Sequence, residues 1–334
     1  MRKMIYDFRM LKEEIKDQTT VNQLSKIEKD GLTMFVMADG RIRGAFLGGT
    51  ALVNQMRAQH KTGILETYVL GQACLCSALL IPTMKGREHL TFRYETNGAS
   101  HGFCTEADST GYVRGYLLDD RIPVEKPLES WDLSPFFGDG TVSISRIGEG
   151  MRQAQTGTTD IIFKNIAKDL AYYFQQSEQT QTAFNTSIQM DKEGRVVGAG
   201  GMFLQVMPFA GGKRKSAQTS DSGEDSFTEA DNDALLSRVE MAFKAMPSIG
   251  QWISEGGKRE DAVIGLFREF EPKIVYDRSI VFDCPCCEEN FVRAIKNMGK
   301  AELDDIIAHD KDPIEVTCNH CGSVYHIPKS KLTE

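Results

Sequence analysis

Several features that would settle a class at once are missing from this chain. Its first residues, Met1-Arg2-Lys3-Met4-Ile5-Tyr6-Asp7-Phe8-Arg9, carry charge throughout and have no apolar core of the secretory kind. No uninterrupted apolar stretch of about 20 residues is evident, so no membrane span is expected. Lys and Arg number 39 against 47 Asp and Glu, a net charge of −8, which argues against a general nucleic-acid binder. H-E-x-x-H and G-x-G-x-x-G are absent, and no motif calls for ATP, so a non-enzymatic protein is expected. Gly198-Ala199-Gly200-Gly201 is glycine-rich but sits inside a strand pattern and opens no helix. It reads as a bulge or a close-packing site, not a phosphate loop.

Four cysteines form an array near the C-terminus. Cys284 and Cys286 make C-x-C, and Cys318 and Cys321 make C-x-x-C after 31 intervening residues. Two close thiol pairs joined by a fold form a four-sulfur shell for Zn²⁺. Without export, these thiols meet a reducing cytoplasm, where such clusters bind metal or do redox chemistry rather than form structural disulfides. Cys287 follows Cys286 directly and, with Cys284, makes a second C-x-x-C, so the fourth ligand stays ambiguous. His320 and His326 are further alternatives, each more readily a packing or surface residue. Residues 276–334 hold 7 Lys and Arg against 11 Asp and Glu, and four thiolates around Zn²⁺ add −2, the wrong sign for phosphate binding. Cys74 and Cys76 stand two apart on a buried helix, do not face each other, and read as core residues like Cys104.

The expected fold class is α+β. Residues 32–208 read as a mixed α/β core domain. Strands are expected at 32–37, 42–46, 90–95, 102–107, 112–118, 141–147, 183–190 and 196–207, and helices at 64–84 and 160–176. Residues 209–275 read as a linker, flexible over 211–232 and then helical, with Leu235, Leu236, Val239, Ala242, Phe243 and Met246 on one stripe. A second short helix is expected over 259–270. Residues 276–334 form a small zinc module whose folding a metal would supply, at about 10–16 kcal/mol.

The stretches Phe282-Asp283-Cys284-Pro285-Cys286, Met298 to Leu303 and Glu315 to Gly322, followed by Tyr325, resemble the heat-shock proteins of 33 kDa, the redox-regulated holdase chaperones of bacteria. In the first domain Gly111 to Tyr116, Ser177-Glu178-Gln179 and Gly200 to Pro208 are similar to the same family. The resemblance implies that Cys284, Cys286, Cys318 and Cys321 hold one Zn²⁺ as thiolates in a reduced, inactive state. It implies oxidation to Cys284–Cys286 and Cys318–Cys321 disulfides, loss of zinc, and loosening of the module and the linker helices. The exposed apolar surface would then hold unfolded client proteins, with a homodimer as the active form. Two other classes compete: a constitutive zinc-ribbon interaction module, and a thiol oxidoreductase using Cys318 and Cys321. Three departures stand out. Cys287 occupies a position where members often have Ser, the 211–232 segment is longer and more polar, and residues 1–31 form an extension with no assigned role.

Overall fold

A computed structural model describes residues 10–124, 130–207 and 229–333. In chain order, α1 (Gln18–Lys26) precedes a hairpin of β1 (Gly31–Met37) and β2 (Ile42–Gly48). Two helices follow, α2 (Thr50–His60) and α3 (Ile64–Leu79), then β3 (Glu88–Thr96), β4 (Gly102–Asp108), β5 (Tyr112–Leu117), β6 (Gly140–Gly148) and β7 (Gln155–Asp160). Next come α4 (Ile166–Ser177), β8 (Thr182–Met190) and β9 (Val196–Val206). The helices α5 (Glu229–Lys244), α6 (Ile249–Ser254) and α7 (Arg259–Phe267) lead to β10 (Lys273–Ser279) and β11 (Val281–Phe282). The chain ends with α8 (Glu288–Lys296), α9 (Lys300–His309), β12 (Ile314–Thr317), β13 (Val324–Ile327) and α10 (Ser330–Thr333).

Two sheets sandwich α3. One has the order β10-β1-β2-β9-β8, all antiparallel. The other runs β11-β5-β4-β3-β6-β7, with β11 parallel to β5. α3 touches β4 and β5 on one side and β2, β8 and β9 on the other. That two-sided burial explains a helix apolar nearly all round. The segment Ile64–Thr83 is, by length and composition, apolar enough to cross a membrane, which corrects the reading that no such stretch exists; 78% of its apolar 18-residue window is buried inside the protein, as in a core helix. Cys74 and Cys76 lie fully buried on α3, and Cys104 is buried on β4.

The inner strands β1, β2 and β9 of the five-stranded sheet are buried on both faces by period-2 alternation. Leu32, Ala45, Leu47, Ala199 and Phe203 face α3 in one core cluster. Phe35, Met37, Ile42, Phe46, Met202 and Leu204 face the other way and pack under Val239, Ile249, Ile253, Val263 and Phe267 of the linker helices. The glycines of β9 permit this contact. A Cβ on Gly198 would lie 2.0 Å from the Gly250 carbonyl oxygen, and one on Gly200 would lie 2.5 Å from Ile253 Cδ1. Close packing, the second of the two sequence readings, is what these glycines do.

Several elements differ from expectation. The helix expected from Asp160 begins only at Ile166, where Asn165 caps it by accepting from Lys168 N; Asp160 closes β7. β7 is a mostly exposed edge strand of Gln, Thr and Gly with no apolar alternation to reveal it. α2, α6 and β10 were not expected. α5 opens at Glu229, four residues inside the segment expected to be flexible; residues 211–228 of that segment lie outside the described residues, as do residues 1–9 of the extension.

Candidate metal centre

Strand β5 is the platform on which both halves of the cysteine array are built. β11 adds to β5 with Val281 opposite Tyr112 and Phe282 opposite Val113. Asp283 N then donates to Val113 O at 3.1 Å, which delivers Cys284 beside Arg114. From the other side, Gly115 N donates to His320 O at 3.0 Å, which pins the Cys318–Cys321 turn to the same strand. Within that turn Gly322 N donates to Cys318 O at 2.7 Å, with Gly322 at φ +69°. A Cβ there would also sit 2.6 Å from the Gln59 carbonyl oxygen, so only glycine suits the position.

The four sulfurs of Cys284, Cys286, Cys318 and Cys321 lie within 4.8 Å of one another, and all four residues are buried. Cys284 Sγ is 3.9 Å from Cys318 Sγ, and Cys286 Sγ is 3.4 Å from Cys321 Sγ. A tetrahedron of Zn–S bonds of about 2.3 Å requires S···S separations of roughly 3.8 Å, so the set fits such an ion. Cys287 stands outside this group: it is half-buried and forms the N-cap of α8, its carbonyl accepting from Asn290 N and Phe291 N. Neither alternative histidine is part of the four-sulfur group, although His320 hydrogen-bonds the Cys318 side chain. His320 Nε2 lies 3.2 Å from Glu106 Oε1 with its ring edge-on to Tyr116, and His326 is exposed on β13.

A charged network supports the sulfurs from the core sheet, and the sequence reading did not anticipate it. Arg114 donates from Nε to Glu106 Oε2 at 2.7 Å and holds Nη1 3.1 Å from Cys284 Sγ. Glu106 Oε2 also lies 3.2 Å from His89 Nε2, and His89 Nδ1 lies 3.6 Å from Asp108 Oδ2. Burial opposes the Glu106 charge, but hydrogen bonds from His320 and His89 and the Arg114 charge outweigh it and hold its carboxyl well below the usual range. Burial likewise opposes protonation of His89, yet its bonds to Asp108 and Glu106 raise it to about 9. Four sulfurs this close share protons as one set. Within it Cys284 is lowered from its ordinary value, first through its hydrogen bond with Cys286, with the Arg114 guanidinium adding to the effect. On the far side, Tyr325 O–H donates to Cys286 O at 3.1 Å and lies 3.2 Å from Cys286 Sγ.

The array therefore offers four close, buried sulfurs beside a fixed cation, suited to a soft divalent metal and to thiolate chemistry once exposed to oxidant. Nothing in the sequence pattern links Glu106 or Arg114 to residues some 170 positions away. The only local sign is Glu106 and Asp108 on β4 and Arg114 on β5, charged residues in strands that are otherwise largely apolar.

Comparison with known proteins agrees with this architecture. A family model described as Hsp33 protein matches residues 30–328. The 33 kDa chaperonin of Streptococcus agalactiae serotype Ia is 28% identical over 305 residues, covering 91% of this chain and 97% of the relative. That of Desulfotalea psychrophila is 28% identical over 307 residues, covering 91% and 96%. The crystal structure of the 33 kDa chaperonin, a heat shock protein 33 homolog, from Thermotoga maritima superimposes with a TM-score of 0.76 at 25% identity, covering 92% of this chain and 97% of that one. With residues 30–328 matched by that family model and 92% of its length covered by the Thermotoga maritima structure, the chain belongs to the Hsp33 family.

Proposed function

We propose that this protein is a redox-regulated, ATP-independent holdase that acts in the cytoplasm under oxidative stress. The observation that carries the reading is the buried four-sulfur group built into the same continuous core as α3. Cys284, Cys286, Cys318 and Cys321 hold Zn²⁺ in the reduced state, where the ion contributes folding energy to residues 276–334.

The chemistry belongs to the thiolates. A thiolate attacks peroxide, the O–O bond breaks, and sulfenic acid and hydroxide form. A second thiolate displaces hydroxide from that sulfur and forms the disulfide. Each disulfide thus reduces one peroxide to two waters once protons are counted. Pairing follows the family resemblance, Cys284 with Cys286 and Cys318 with Cys321. Paired sulfurs offer no thiolate to a metal, so the metal's share of the folding energy is lost with them. Loosening then spreads to α5, α6 and α7, which uncovers the apolar face carrying Phe35, Phe46 and Met202. Unfolded clients bind there, and the active form is a homodimer. The protein is not an enzyme on this reading, and it binds neither nucleic acid nor membrane.

The test is light scattering from a chemically unfolded client diluted into the protein. The reduced, zinc-loaded form should leave aggregation unchecked, and the form treated with peroxide at raised temperature should suppress it. Equal suppression by both forms would reject the switch, as would purified reduced protein carrying well under one zinc per chain.

A further inference from the structure

The segment upstream of the family match grips both parts of the molecule that the switch is to release. At one end it holds the cysteine turn. The Leu11 carbonyl accepts from Gln59 Nε2 at 3.2 Å and from Ser323 Oγ at 3.2 Å. The same Gln59 amide donates to Cys321 O at 2.9 Å, and Glu13 N donates to Gln59 Oε1 at 2.5 Å. Lys12 Nζ pairs with Asp283 Oδ2 at 3.0 Å, while Asp283 Oδ1 accepts from Cys284 N at 2.8 Å. Both halves of the array are therefore touched from residues 11–13.

At its other end the segment holds the linker helices. Gln23 Nε2 donates to Ser254 O at the end of α6 at 2.9 Å and to Val197 O on β9 at 3.2 Å. Arg259, buried at the start of α7, donates from its main-chain N to Glu28 Oε2 at 3.0 Å and from Nη1 to Lys29 O at 2.6 Å. Between the two ends the segment is fastened to the core. Met10 is buried in the cluster around α3, Ile27 is buried in the cluster under the linker helices, and Asp17 caps α1 and pairs with Arg195.

We propose that residues 10–29 are a strap that positions the switch, holding the Cys318–Cys321 turn and the α6–α7 lid closed together and setting how readily oxidation opens them. The proposal rests on the redox reading above. The strap adds no ligand to the sulfur group. It fixes the turn that presents Cys321 and neutralises Asp283 beside Cys284. It also supplies Glu28, one of the carboxylates that pair with the buried Arg259 charge; Asp277 on β10 is another. An unpaired buried charge is costly, so the strap contributes to lid closure as well as to the turn.

The experiment compares the full chain with a variant lacking residues 2–13, which keeps Asp17 and α1, and with Lys12→Glu and Lys12→Arg. Peroxide-driven zinc release is followed with a chelating dye. Amide hydrogen exchange of residues 318–325, 249–267 and, as a core reference, 90–107 is measured on reduced protein with and without zinc. Truncation should speed zinc release severalfold and raise exchange in 318–325, with 90–107 unchanged. Lys12→Glu should move part of the way, and Lys12→Arg should match the full chain. If loss of Met10 loosens the reference region, the two Lys12 variants carry the test. Equal release and equal exchange across all four proteins would overturn the strap. If the reduced chain binds no zinc, the redox reading fails instead, and the zinc-free exchange still decides whether the strap holds the turn.

Discussion

Arg114 Nη1 lies 3.1 Å from Cys284 Sγ while its Nε bonds Glu106, so a single guanidinium joins the core sheet to the cysteine array. Arg114→Met leaves Glu106 buried without its main counter-charge, a loss of about 3 kcal/mol for a pair this buried. Chemical denaturation of reduced, zinc-saturated protein should show that loss. The double variant Arg114→Met, Glu106→Gln should recover part of it. Purely additive effects would mean the two groups act independently. Lysine at 114 should rescue poorly, because one ammonium cannot replace a planar fork that spans two partners.

Cys287 sits at the N-cap of α8 and outside the four-sulfur group. Cys287→Ser should leave zinc per chain and zinc affinity unchanged in a competition titration against a chelator. A fall in stoichiometry would place Cys287 in the shell.

Gly198 and Gly265 should act on the lid with opposite sign. A Cβ at 198 meets the Gly250 carbonyl at 2.0 Å, so Gly198→Ala must push α6 off β9 at a cost of about 1–3 kcal/mol. Gly265 lies within α7 with nothing within 4 Å of its Cβ position, so Gly265→Ala should firm that helix by about 0.5–1 kcal/mol. Binding of a hydrophobic dye to reduced protein should rise in the first and stay low in the second. Suppression of client aggregation without oxidant is expected of Gly198→Ala alone.

His89 predicts a pH dependence. Its folded-state value is about 9 against an ordinary 6.5, raised by Asp108 and Glu106 against the pull of burial. The folded state therefore holds the proton more tightly than the unfolded chain. Its contribution is complete below about pH 6.5 and is lost as pH climbs toward 9. The difference in stability between the native chain and His89→Gln, measured by denaturation across that range with zinc saturating, should shrink with rising pH. A difference that stays constant would show that His89 does not titrate there.

Much of this was legible before any coordinates. Leu90, Phe92 and Tyr94 alternate with polar neighbours, and each is fully buried on β3. The apolar stretch from Ile64 has the length of a helix, and it lies between two sheets. The cysteine spacing pointed to two short thiol pairs converging through local turns, but it left Cys286 and Cys287 open as the fourth member, which only the fold separates. What stayed hidden lacked periodicity or depended on distant partners. β7 and β10 are exposed edge strands whose identity comes from main-chain pairing, to β6 and β1 respectively. α6 is too short for a helical stripe to emerge. Glu106 and Arg114 look like ordinary strand surface residues until β11 brings Cys284 beside them. The extension seemed idle because its grip on Ser323 and Cys321 runs through a main-chain carbonyl and one amide, which no pattern of residue types records.

The pairing of β10 with β1 has a consequence for reversal. β9 and β10 belong to one sheet, so everything between Val206 and Lys273 is fastened at both ends. A lid so leashed cannot drift away when it opens, and its return is an intramolecular event. The entropy of closing such a loop grows only logarithmically, by about 0.6 kcal/mol per doubling of length. On the proposed reading, a bound client would therefore compete with a returning lid at a high and constant local concentration. On the proposed redox reading, an external dithiol would reduce each disulfide with two electrons, the metal would rebind, and that competition would tilt toward the lid without nucleotide hydrolysis.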